Sequence, residues 1–212
     1  MRFRLAVLAL MLLPLVACSA TLPSRLYTLA PAVSAPIEPG RGGALGLGPV
    51  ELPAYLDRPE IVTREGPHQV VLGEFDKWAE PLLPMFVRLL ADRLRLASGS
   101  SDVVPLPSRL ESNPRYGVAV IVDRFDADEN GHIVLDATWR YYQLSDERTL
   151  KSGHEMVSLA AEPASQPDPD YAYELPARDY SALVAGMARA VDELAMRISA
   201  GLPRAAPARR AS

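Results

Sequence analysis

Cysteine occurs once in the 212 residues, as Cys18. No intramolecular disulfide is therefore open to the chain, and its stability has to come from an ordinary hydrophobic core, for which this length suffices. Histidine occurs three times, as His68, His132 and His154. Each stands apart from any second histidine or cysteine, so a metal centre has no local support. No serine sits in a Gly-x-Ser-x-Gly elbow. Gly40, Gly42, Gly43, Gly46 and Gly48 are followed by Pro49 and Pro53 rather than by a helix, which removes the phosphate-loop reading. Asp123, Asp126, Asp128 and Glu129 cluster ahead of Asn130-Gly131. Twelve-residue calcium loops begun at the three aspartates would end at Val134, Ala137 and Trp139 instead of a glutamate, and a solvated hairpin tip is expected. Basic residues number 22 against 26 acidic, and this mildly acidic, mixed surface argues against nucleic acid as a partner.

The first 17 residues read as an export signal. Arg2 and Arg4 make a basic start, and Leu5 to Val16 is an apolar run broken only by Pro14. About a dozen apolar residues is short of the roughly 20 that span a bilayer as a helix, so the segment is expected to be removed. Leu15-Val16-Ala17-Cys18 has a small residue directly before the cysteine and Leu three positions upstream. It resembles the lipobox of bacterial lipoproteins, in which the cysteine is diacylglycerylated and becomes the acylated first residue. Cys18 is then the lipidation site, and covalent lipid rather than any cofactor is what the chain carries. The alternative, ordinary cleavage near Ala17 or Ala20, leaves an unpaired thiol or removes it. At about 0.8 kcal/mol per buried methylene, two or three acyl chains form a lasting tether. Ser19 occupies the position where Asp would resemble an inner-membrane retention signal, so the periplasmic face of the outer membrane is the expected address. Residues 18–24 form the tether, whose polar spacer at about 3.3–3.6 Å per residue keeps the body some 20 Å or less from the lipid.

Residues 25–201 are expected to form one domain and 202–212 a disordered basic tail. Arg25 to Leu29 alternates as a strand, Pro31 to Gly43 reads as a loop, and Ala44 to Val50 as a second strand. Glu60 to Arg64 and Gln69 to Leu72 flank the turn chemistry of Glu65-Gly66-Pro67. Glu74 to Pro81 leads into a helix that starts near Pro81 or Leu82, because Pro84 fits only within the first turn. Asp102 to Leu106 is a short strand. From Tyr116 to Asp123 both faces are apolar, which predicts a central strand covered on both sides. Asn130-Gly131 sends the chain back through Ile133, Leu135, Ala137, Trp139 and Tyr141, with His132, Asp136, Thr138 and Arg140 on a wet or partner-contacting face. Ser152 to Ala161 is a further strand. Asp179 caps a final helix in which Leu183, Met187, Val191, Leu194 and Ile198 recur at helical spacing, and Gly201 with Pro203 stops it. The fold class is α/β, with a mixed, largely antiparallel sheet packed by two long helices.

Arg93 falls within the apolar arc of its helix and is expected to lay its stem on the core and send its head to water. Tyr55, Leu56, Phe75 and Trp78 are large residues in proline-flanked, turn-like stretches. With Arg58 they are candidates for partner contact, the plainer reading being that they staple the helix entry to the sheet.

The segments Ser24-Arg25-Leu26-Tyr27-Thr28-Leu29, Leu47 to Arg64 with its Pro53-Ala54-Tyr55-Leu56-Asp57-Arg58-Pro59 core, and Phe75-Asp76-Lys77-Trp78-Ala79-Glu80-Pro81-Leu82, all behind a lipobox, resemble the PqiC/YmbA-type ABC-transport auxiliary lipoproteins. The resemblance implies a non-catalytic role beside an ABC transporter and an MCE-domain protein. Such systems move lipids or other apolar molecules between inner and outer membranes. A homo-oligomer, in a ring around the tip of the MCE protein, is the expected form. A structural envelope lipoprotein and a lipid-anchored periplasmic hydrolase are the competing readings; the second lacks a nucleophile and base that can be placed. Because Cys18 is the only thiol, Cys18→Ala is expected to abolish acylation. Metabolic lipid labelling checks this, and label retained by the variant would refute the assignment.

Overall fold

A computed structural model of the protein describes residues 23–30, 40, 42–107, 114–162 and 180–203. The export signal, Cys18, the expected cap Asp179, most of the proline-rich loop after Glu162 and the tail from Arg204 onward lie outside these residues. The elements in chain order are β1 (Arg25–Tyr27), β2 (Leu45–Glu51), a 3-10 turn (Ala54–Leu56), β3 (Glu60–Glu65), β4 (Gln69–Trp78) and α1 (Leu82–Ser98). They continue with β5 (Val103–Pro105), β6 (Tyr116–Ala127), β7 (His132–Gln143), β8 (Thr149–Ala160) and α2 (Tyr180–Gly201).

All eight strands join one mixed sheet whose longest ladders are antiparallel. Strand β6 is its axis. On one side β7 pairs with it along its length and β8 pairs with β7. On the other side β2 runs parallel to its first half, and β3 meets its far end through Thr63 and Ala127. Beyond β2 lies β5, and beyond β3 lie β4 and then β1. The β6–β7 turn forms as the sequence requires. Gly131 takes φ 77, a value glycine adopts without strain. Asp128 Oδ1 accepts the backbone N–H of Asn130 at 2.8 Å and of His132 at 2.9 Å.

Val118, Val120 and Val122 stand opposite Tyr141, Trp139 and Ala137 on the core face. A bulge between Val122 and Arg124 then shifts the phase by one residue, so that Phe125 and Ala127 continue the core while Arg124 and Asp126 turn the other way. Both helices lie on this core face. Phe86 of α1 meets Phe125 edge-on with centroids 5.4 Å apart. Helix α2 passes so close that a Cβ at Gly186 would lie 2.7 Å from Ile133, and one at Gly201 2.5 Å from Trp139.

Three expectations are corrected. The opposite sheet face is open at its centre, where Ile121 is 49% and Met156 57% exposed, so β6 is not covered on both sides. The two helices share one layer, so neither of them covers the other face. Arg93 meets a carboxylate instead of sending its head freely to water. Its Nε lies 2.7 Å from Asp192 Oδ1 because the arc it occupies on α1 is the contact line with α2. Burial raises the Asp192 pKa there, against the lowering effect of the Arg93 charge. Finally, the stretch before the helix is strand through Trp78 rather than turn-like, and the helix starts at Leu82 as expected. That strand is held extended by parallel pairing of Arg25, Leu26 and Tyr27 with Asp76, Lys77 and Trp78.

Trp78 is 5% exposed and belongs to the core. Trp78→Ala is expected to destabilise the fold by about 3–5 kcal/mol through the cavity it leaves, measured as a lower midpoint in urea unfolding.

Candidate functional site

Two buried carboxylates organise the end of the sheet nearest the tether. Asp76 on β4 is 4% exposed. Arg25 grips it with two parallel bonds, Nε to Oδ1 and Nη2 to Oδ2, each 2.8 Å, and the Tyr27 hydroxyl donates to Oδ1 at 2.8 Å. A bidentate guanidinium–carboxylate pair is strong and directional. Here it binds the first strand after the spacer to a strand fifty residues on. Burial, then the bond to Asp76, pushes the Tyr27 pKa up to about 12. Arg25's own bonds to Asp76 raise the pKa of its guanidinium.

Asp126 on β6 is fully buried. Arg64 Nη2 donates to its Oδ2 at 2.9 Å, Arg124 Nε to Oδ1 at 2.8 Å and the Tyr55 hydroxyl to Oδ2 at 2.9 Å. The backbone N–H of Phe125 donates to the Tyr55 oxygen at 3.4 Å. Burial raises the Tyr55 pKa first and the Asp126 charge adds to it, while the bond to Asp126 raises the pKa of Arg64. Asp126 is therefore not part of a solvated tip. The bulge after Val122 aims it away from the core side, where the turn carrying Tyr55 and the strand carrying Arg64 close over it.

The five candidate contact residues divide. Leu56 and Trp78 are buried at 3% and 5% exposure and act as core side chains, as in the stapling reading. Tyr55 is half-buried and committed to Asp126. Phe75 and Arg58 are half-buried, and Arg58 Nε is shielded from water without a hydrogen-bond partner among the described residues. Of the face expected to be wet, His132 and Thr138 are exposed and Asp136 and Arg140 half-buried. Sequence reasoning missed one grouping. His154 on β8 lies beside Asp136 on β7 and Asp123 on β6, three residues dispersed in the chain and brought level by strand register. Their positions on the side of each strand away from the core were the available signal. At the opposite end of the sheet a hollow of about 530 Å³ is lined chiefly by Leu45, Tyr116, Tyr141, Leu150 and Leu202, with Arg115 among its polar groups. Among the described residues no helix is long and apolar enough to cross a membrane.

A family of ABC-type transport auxiliary lipoprotein components matches residues 27–199, from the first strand nearly to the end of the last helix. The chain belongs to that family. Its fold is similar to that of an uncharacterized protein of known crystal structure, with TM-score 0.62, 17% identity, 84% of this chain and 98% of the other covered. It is also similar to XCC0632 from Xanthomonas campestris, a DUF330 protein, with TM-score 0.61, 16% identity and coverage of 83% and 93%. At such identities the likeness shows the fold alone. No curated protein matches the chain.

Replacing Asp126 with alanine leaves the Arg64 and Arg124 charges facing each other without a counter-ion, an effect expected to cost about 3–5 kcal/mol. Tyr55→Phe, which removes one hydrogen bond, is expected to cost about 0.5–1.5 kcal/mol. Chemical denaturation of the two variants measures both, and equal midpoints would refute the electrostatic account.

Proposed function

We propose that this auxiliary component is a non-catalytic lipoprotein. It is anchored through Cys18 to the periplasmic face of the outer membrane and receives the MCE-domain protein of an ABC transporter that moves lipids or other apolar molecules between the two membranes. In that role it contributes to envelope integrity. The observation that carries this reading is the family match across nearly the whole folded domain. The geometry is consistent with a mechanical role. The tether enters at β1, and β1 is locked into the sheet by its ladder with β4 and by the Arg25–Asp76–Tyr27 cluster. A load on the anchor is thus passed to the core rather than to a loose terminus. The open sheet face, with Ile121 and Met156 exposed, offers apolar surface to a second copy or to the MCE protein.

Fractionation of cell envelopes is expected to place the wild-type protein with outer-membrane markers and to release Cys18→Ala from them. Mass measurement of the purified protein alone and with the MCE partner is expected to show an oligomer that binds it. A strict monomer that ignores the partner and hydrolyses an ester or phosphodiester would overturn the proposal.

A further inference from the structure

We propose that Asp123, Asp136 and His154 form a binding site for one divalent transition-metal ion of the zinc type on the open face of the sheet. The three side chains come from neighbouring strands, and one donor atom of each lies within 4.8 Å of the other two. Strand register makes this possible. Asp136 stands opposite Arg124 on one side and Met156 on the other, Thr138 stands opposite His154, and the bulge between Val122 and Arg124 brings Asp123 level with them. Side chains held by the middle of three long strands are positioned more rigidly than side chains on loops.

Among the described residues no arginine or lysine forms an ion pair with Asp123 or Asp136. Arg124, the nearest in register, is committed to Asp126 at 2.8 Å, and Arg140 donates to the Glu147 carbonyl and lies over the Tyr142 ring at 4.4 Å. Neither guanidinium is thus committed to the two carboxylates, and the His154 imidazole is the group that faces Asp136. Asp136 Oδ1 is shielded from water and lies 2.6 Å from His154 Nε2, yet it accepts no aligned hydrogen bond. The other histidines lie elsewhere, His132 at the hairpin tip beside Asp128 at 3.5 Å and His68 in the exposed β3–β4 turn.

One imidazole nitrogen and two carboxylate oxygens select zinc or a neighbouring divalent ion over calcium and magnesium, which take all-oxygen shells. Metal–ligand bonds of about 2.0–2.2 Å require donors no more than about 4.2 Å apart. Asp123 and His154 are exposed, and binding an ion would draw their side chains to that spacing. Water completes the coordination.

Calorimetric titration of zinc chloride into untagged, metal-stripped full-length protein in detergent tests the site. One ion per chain is expected, and zinc is expected to raise the melting temperature. His154→Ala and Asp123→Asn should each weaken binding by about tenfold or more, with unchanged melting in the absence of zinc, while His132→Ala should bind as the wild type does. The proposal is overturned by no binding, by the same isotherm in wild type and the His154→Ala/Asp123→Asn double variant, or by equal loss in His132→Ala.

Discussion

The burial of Asp126 is the constraint on which much of the remaining structure depends. A carboxylate with no solvent exposure is tolerated only where its charge and lone pairs are met, and here two guanidinium groups and a phenol meet them. Those partners come from the 3-10 turn, from β3 and from β6 itself. Any packing that displaced the turn or slid β3 along β6 would strand the charge. Such an arrangement contributes little net stability compared with an apolar core of the same volume. Its consequence is selectivity, because it penalises alternatives to one docking of residues 53–64 against the central strand.

Asp76 plays the corresponding part for the N-terminal strand. Three residues of parallel ladder are a weak attachment by themselves. The bidentate Arg25 pair and the Tyr27 bond add a charge-assisted clamp at the place where a membrane tether would pull. The stretches on which the family resemblance rests supply Arg25, Tyr27, Tyr55, Arg64 and Asp76. Their physical role is to build these two buried polar clusters, around which Leu56 and Trp78 pack as core.

One-sidedness is the other governing feature. Both helices occupy a single layer, joined by Arg93 and Asp192 and seated on Phe125, Ile133 and Trp139. The second face of the β6–β7–β8 meander is consequently open at its centre. It presents Ile121 and Met156 beside the Asp123, Asp136 and His154 donors. Apolar surface and a carboxylate–imidazole cluster thus lie together on one rigid face.

Much of the fold was legible in the residues. Period-two alternation marked β7, helical spacing marked α2, Pro84 placed the start of α1 and Asn130-Gly131 placed the central hairpin, each through local backbone chemistry that acts within a few positions. The lipobox is equally local, and the family rested on short segments read directly. What the tertiary structure decided is whatever depends on a neighbour distant in the chain. The extension of β4 to Trp78 needs β1. The phase change at Val122 sets which side of β6 Asp126 occupies, and burial of its charge needs Arg64 and Tyr55. Ile121 is exposed because both helices pack on the other face, and His154 joins Asp123 and Asp136 only through the register of three strands. Hydrophobic periodicity reports which side of an element is apolar; it carries no information on which element, if any, arrives to cover that side.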